Sequence, residues 1–496
     1  MPRGMVRLRI VPTWAHTVDE WTTPAGVRRL APLGGELAAE SLGVRELPGL
    51  ESSETLVRQL SGQSAFQLNL GRSQAAASTR SVVTPLTLEL GVTSRLTLGV
   101  TVPIVETRTR FGFALNNDTS SRFNSGVNPA LTLASARAQN EALVRQLDAA
   151  AQRVQACLAN GAATGCSGVA ANPSAAQALL ASLQGTSRNV GSLYGIDDAT
   201  PGQSIVPVAT SEVQKEIDRL LGVLSTQTAA LLGSEFAIAG RPAGAFGPAG
   251  AASIAALYAA AGYDSLTESS RIGVGDVEIG AKLLVRDLPA DASRGVRVAL
   301  AGLVRLGTGE PALDSPYGEG TGDGQTDIEG AAIVDALLSR RVAVTVGGRF
   351  TVQNGTTESW MRDAAGVRDV FSSTRALVSP GDVVSLAVTP RYRVASHFSI
   401  DAHWSLHHQG GGTYTPVPAE GSDVQAPATS PPATTLQRAW LGATYSTVER
   451  WRRREARLPL DVVVAHLESL TSSGGPALKT SYTQIQVRLY YPLFGR

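Results

Sequence analysis

Along residues 92–105, VTSRLTLGVTVPIV, apolar side chains fall at Leu96, Leu98, Val100, Val102 and Ile104. Small or polar ones fall between them at Thr97, Gly99, Thr101 and Pro103. A period of two gives a strand one apolar and one polar face. The same pattern returns along most of the chain. In the first part it sets Val6, Leu8 and Ile10 against Arg7 and Arg9, and Leu86, Leu88, Leu90 and Val92 against Thr87 and Glu89. Further on, Val277, Ile279, Ala281 and Leu283 oppose Asp276, Glu278 and Lys282, and Val296, Val298, Leu300, Val304 and Leu306 oppose Arg297 and Arg305. Ile328, Ala332 and Val334 oppose Asp327, Glu329 and Asp335.

The second half continues it. Val342, Val344, Val346, Phe350 and Val352 oppose Thr345 and Arg349, and Leu386, Val388, Tyr392 and Val394 oppose Thr389, Arg391 and Arg393. Phe398, Ile400, Trp404 and Leu406 oppose Asp401, His403 and His407. Leu458, Leu460, Val462 and Val464 share a face opposite Asp461. Ile485, Val487, Leu489 and Tyr491 oppose Gln484, Gln486, Arg488 and Tyr490. Residues 436–445 read as a strand of ambiguous face. The pattern predicts about twelve strands. Short turns at 93–95, 339–341 and 395–397 alternate with long connections at 22–79, 110–270, 307–325, 353–382, 408–434 and 468–480.

A soluble sandwich also fits alternation. Three features favour lipid outside and water inside. The apolar faces are almost free of charge. Tyr392, Trp404, Tyr490, Tyr491 and Phe494 fall toward strand ends, as interfacial girdles do. An even strand count puts both termini on the short-turn side, and a closed barrel leaves no edge unpaired, as a bilayer requires. The fold expected is therefore all-β and transmembrane: an antiparallel up-and-down barrel, with strands 1–3 in 1–116 and strands 4–12 in 269–496.

Residues 117–268 break the pattern. Leu143, Leu147, Ala150, Val154 and Leu158 form a helical stripe, as do Val213, Ile217, Leu220, Leu221, Leu224 and Leu231. Ser211 with Gln214 reads as a capping box, and Asn172 before Pro173 as the cap of a shorter helix, SAAQALLASL. GAASIAALYAAAG reads as a fourth. The segment is expected as an α-helical extracellular insertion, a cap over the barrel or a plug within it. The two cysteines, Cys157 and Cys166, close a short disulfide in an oxidising compartment and stay thiols in a reducing one.

Composition adds exclusions. The net charge of +1 gives no basic excess toward nucleic acid. No run of eighteen apolar residues offers a spanning helix, which leaves strands of about ten residues as the only membrane signal. The start, MPRGMVRLRI, has basic residues with no apolar stretch after them, so an exported chain is expected to have lost its signal peptide or to begin upstream.

Several stretches together resemble the meta-pathway-of-phenol-degradation family of outer-membrane transporters. They are LELGVTSRLTLGVTVPIV (88–105), GVGDVEIGAKLLV (273–285), VALAGLVRLGTG (298–309) and GDGQTDIEGAAIVDALLSRRVAVTVGGRF (322–350). The resemblance covers roughly 100 residues clearly. It implies a barrel of about twelve strands in the bacterial outer membrane, passing small molecules. The large helical segment and the ending YYPLFGR, with its terminal aromatic displaced to Phe494, depart from the family.

Catalytic chemistry has one candidate, Asp401, His403, Ser405 and His407 on one strand face. Alternate strand positions lie about 7 Å apart, so a working pair needs a neighbour such as Arg391 or Arg393. His403 and His407 cannot chelate one ion together along a strand, and His408 points the other way. The cysteines lack further ligands at zinc spacing. GTGDGQTD leads into a strand, not a helix, so it makes no phosphate loop. No catalytic residue, metal or cofactor is expected.

The function expected is passive or gated passage of small molecules through a charged lumen, with the lipid bilayer as partner, the cargo and oligomeric state open, and no nucleic acid. The lumen-lining residues expected are Arg7, Arg9, Glu89, Asp276, Glu278, Lys282, Arg297, Arg305, Asp327, Glu329, Asp335, Arg349, Arg391, Arg393, Asp401, His403 and Arg488. The alternative is a surface-interaction protein whose barrel anchors a partner-binding helical insertion.

Overall fold

The computed structural model describes residues 1–22, 28–47, 50–116, 122–195, 205–250, 268–288, 293–311, 320–360, 374–416 and 432–493. Its alternating segments form a closed antiparallel barrel of twelve strands in up-and-down order. The first four are β1 (Met5–Ile10, resuming as Thr13–Thr22), β2 (Ser73–Gly91), β3 (Leu96–Leu115) and β4 (Glu268–Val274, resuming as Val277–Arg286). Next come β5 (Gly295–Leu306), β6 (Asp327–Leu337), β7 (Val342–Val352) and β8 (Val383–Ala395). The last are β9 (Phe398–Gln409), β10 (Thr434–Ser446), β11 (Leu460–Gly474) and β12 (Ala477–Pro492). Leu8 of β1 faces Leu88 of β2 on one side and Leu489 of β12 on the other, which closes the ring.

Two strands are interrupted, with different results. β1 breaks at Val11 and Pro12 and resumes in step, since Ile10 faces Leu86 and Thr13 faces Val83. β4 breaks at Gly275 and Asp276 and gains a residue there: Ile104 faces Val274, but Thr101 faces Glu278. The extra residue is a bulge, a device that re-aims a side chain. The side chain here is Asp276.

The apolar faces point outward and are exposed, Leu441 at 64% and Leu88 at 51% among them. Tyr392, Tyr445 and Tyr491 are exposed on this face near the short-turn ends, where an interfacial girdle belongs. Two expected girdle members sit elsewhere. Tyr490 points inward and donates to Asp461 Oδ2 at 2.7 Å, and Trp404 lies mid-strand, its indole N–H on Gln437 at 3.3 Å. Phe494 lies outside the described residues.

Several strands run on past the apolar band. β3 has 20 residues where about ten span a bilayer. Its outward positions change from Ile104 to Glu106, Arg108 and Arg110, and Arg108 pairs with Glu268. β11 changes likewise, from Val464 to His466 and Glu468. The connection expected at 468–480 is therefore not long. β11 and β12 extend through it and meet in a tight turn, where Gly474 takes φ +86°. The outward face meets water at that height, so the apolar period ends before the strand does. The connections after β7 and β9 carry strands of their own, 356–360, 374–379 and 413–416, paired as a small sheet.

The chain divides into two compact units. One holds the barrel and the other takes in 36–75 and 113–261. The second contains α1 (Glu51–Ser61), α2 (Ala134–Ala159), α3 (Ser167–Ala171), α4 (Pro173–Leu193) and α5 (Glu212–Leu232). Its core is formed by Leu143, Leu147, Val154, Leu183, Val190, Ile217 and Leu221. Ser211 and Asn172 cap α5 and α4 through Gln214 N and Ala175 N, each at 3.3 Å. α4 outruns the expected segment by ten residues, through Val190 and Leu193, which are buried although Gly185 and Gly191 break the apolar pattern. Cys157 and Cys166 are joined as a disulfide at the end of α2. The fourth helix expected at GAASIAALYAAAG falls on residues outside those described, apart from Gly250.

Candidate functional site: the barrel interior

Because the strand period is two, every polar face named from the sequence turns to the inside of the barrel. Two cavities lie there. The larger, of about 800 Å³, is at the short-turn end and is lined by Arg7, Glu89, Lys282, Arg297, Asp335, Asp461 and Tyr490, among others. The smaller, of about 540 Å³, is lined by Arg9, Thr101, Asp276, Glu278, Arg305 and residues 320–323. The connection between β5 and β6 thus folds back to the inner wall.

The charges are arranged as cross-strand pairs. Arg7 pairs with Glu89, with Nη2 at 2.7 Å from Oε1, and lies over the Tyr490 ring at 6.0 Å. Arg9 donates to Thr87 at 3.2 Å. Arg305 bridges Glu278 at 3.1 Å and Asp327 at 3.2 Å. Arg349 lies 3.7 Å from Glu329. Arg391 pairs with Asp401, which also accepts from Thr444 at 2.7 Å. Arg488 reaches Asp461 at 4.0 Å. The basic and acidic rows of β5 and β6 pair only in part. Arg305 faces and binds Asp327, whereas Arg297 faces Asp335 and binds Asp287 of the next turn at 2.7 Å. That guanidinium holds the Asp287 carboxyl below its ordinary range, helped by the Leu288 N–H. Asp335 instead accepts from Thr345 at 2.7 Å. Lys282 lines the larger cavity, and neither it nor Arg393 makes an ion pair among the described residues.

The strand at 436–445, whose face the sequence left open, places Arg438 and Trp440 inside and Leu441 and Tyr445 outside. The Trp440 ring stacks on His403, centroids 5.2 Å apart. Neither Arg438 nor Trp440 was expected inside. Register against His403 and Ser405 is the signal that locates them, and no single strand carries it. Asp401, His403, Ser405 and His407 do share a face, but no relay joins them. His403 bonds Thr389 at 2.8 Å and His407 bonds Ser385 at 2.9 Å, both hydroxyls of β8. His408 points outward to Thr435. Among the described residues, no three His, Cys, Asp or Glu side chains converge as a metal site.

Asp276 has a further task. Its carboxylate accepts the N–H of Gly309 at 2.8 Å and of Asp323 at 3.1 Å. Thr308 Oγ donates to Gly275 O at 2.9 Å and accepts from Val277 N at 3.0 Å. A Cβ on Gly275 would stand 2.8 Å from Thr321 O, so that position needs glycine for the connection to lie this close, and one on Gly273 would be a tight 3.1 Å from Thr321 Cγ2. The sequence segments GVGD, TG and GDG thus meet as one latch on the inner wall. Burial, together with the carboxylates of Asp276 and Asp327, pushes the Asp323 carboxyl above its ordinary range.

No family model matches the chain, and no curated protein matches it. Solved structures similar to it include an outer membrane channel from Pseudomonas putida F1, 10% identical over 99% of this chain and 97% of that one, with a TM-score of 0.43. The toluene transporter TodX of Pseudomonas putida is 10% identical over 100% and 90%, with a TM-score of 0.28. A FadL homologue from Pseudomonas aeruginosa is 8% identical over 99% and 90%, with a TM-score of 0.27. At these scores the likeness says nothing of what this chain carries.

Proposed function

We propose that the chain is a bacterial outer-membrane β-barrel through which small molecules pass, along an interior lined by the charged faces of its strands. The observation that carries this reading is the cavity of about 800 Å³ inside a ring of strands whose outward faces are apolar. An exposed apolar band of this kind needs lipid to cover it, and closure satisfies the backbone that lipid cannot. Interior charges in a barrel of this size keep water within it, and water is the medium through which small solutes move. In this reading the Asp276 latch narrows the long-connection end. Cross-strand pairing accounts for the histidines and carboxylates without covalent chemistry.

Liposome swelling tests the reading. Vesicles reconstituted with the full chain are expected to swell in iso-osmotic arabinose, faster than protein-free vesicles. Equal rates, with the barrel shown to be inserted, would oppose it.

A further inference from the structure

The larger cavity holds charge of both signs, but the signs are not equally satisfied. Each of its carboxylates has a donor. Glu89 takes Arg7 at 2.7 Å, Asp335 takes the Thr345 hydroxyl at 2.7 Å, Asp461 takes the Tyr490 hydroxyl at 2.7 Å and Asp287 takes Arg297 at 2.7 Å. The Lys282 ammonium has no such partner among the described residues. Its register neighbours are Thr97 on β3 and Ala301 on β5, neither of them acidic. The carboxylates of this wall all have hydrogen-bond donors and the Lys282 ammonium donates to none of them, so it is available to an anion.

The rim points the same way. Arg95 and Arg452 reach the same cavity from the short-turn end. Arg452 belongs to α6 (Val448–Arg452), in a connection that also carries Arg450, Arg453, Arg454 and Arg457 against Glu449 and Glu455. Cations therefore lead from the mouth toward Lys282. Trp451, Tyr490, Ile333 and Leu284 give the wall an apolar and aromatic part. Four carboxylates on one cavity disfavour a second negative charge on the ligand.

We propose that this cavity binds a small organic monoanion, a carboxylate on a compact apolar body, with the Lys282 ammonium as its charged contact. The proposal deepens the passage reading and rests on it. Arg297 and Arg7 are held by their own acids, so they shape the site without competing for the ligand. A cavity of this volume takes a single-ring carboxylate with room for water.

Isothermal titration of the detergent-solubilised full chain tests it, with potassium benzoate as probe and benzyl alcohol as its uncharged counterpart. Wild type is expected to bind benzoate about tenfold more tightly or better, the scale of one charge-assisted contact. Lys282→Gln is expected to lose that preference and Lys282→Arg to keep it. Equal binding of the two probes by wild type overturns the proposal, whether or not any variant folds. So does a benzoate preference that survives in Lys282→Gln. Titration needs no flux, so a chain that binds benzoate but passes no solute fails on passage alone. One that passes solute but does not favour benzoate fails on the site alone.

Discussion

Asp276 accepts the backbone N–H of Asp323 at 3.1 Å, across 47 residues of sequence. With the Gly309 bond at 2.8 Å it ties the β5–β6 connection to the bulge in β4. A half-buried carboxylate that accepts two N–H groups is difficult to replace, because each orphaned donor costs up to about 1–3 kcal/mol. Asp276→Ala is expected to free the connection. Cleavage after Glu319, in the same connection, by a glutamate-specific protease should become faster in the folded barrel. Unchanged cleavage would show that the latch is not what holds it.

The same latch is pH-sensitive, with a sign that follows from Asp323. Its carboxyl titrates above its ordinary range, so between the ordinary and the raised value the latched state holds more protons than the released one. Latch stability is therefore full below the ordinary carboxylate pKa and falls as pH rises through the raised one. Protease resistance at Glu319 should be greater in mild acid than at neutral pH. Asp323→Asn should flatten the profile and leave the loop resistant throughout.

Arg305 serves two acids, and one of them, Asp327, is fully buried at 0% exposure. Removing the cation strands that carboxylate in a poorly solvated wall. Arg305→Met is expected to destabilise the barrel by about 3–5 kcal/mol, and the double variant Arg305→Met, Asp327→Asn to recover much of it. Urea unfolding in detergent reads both. A single variant as stable as wild type would mean that water already reaches Asp327.

The Cys157–Cys166 bridge closes a loop of nine residues at the end of α2. A short loop of this kind stabilises by about 2–4 kcal/mol. Cys157→Ser with Cys166→Ser is expected to lower the melting of the helical signal in circular dichroism and to leave the strand signal in place. Loss of both together would mean that the two units unfold as one.

How much of this was legible in the sequence depended on what each strand face meets. Where lipid lies outside and water inside, the chain alternates, so Arg297 and Asp335 could be placed inside from the sequence alone. Above the bilayer the outward face meets water. Glu106, Arg108, His466 and Glu468 then point outward, the alternation is lost, and the extensions of β3 and β11 could not be read. Trp404 and Tyr490 misled for another reason: large aromatic side chains suit both an interfacial girdle and a hydrogen-bonded place elsewhere on the strand. The glycines of GVGD and GDG were visible as motifs. Their meeting was not, because it depends on a bond between residues 47 positions apart.

The central claim, that the interior is a continuous water path, is tested most directly by planar-bilayer recording of the refolded full-length chain. The account predicts discrete, stable current steps, enlarged in Asp276→Ala. Silence from a barrel shown to be folded and inserted would contradict it.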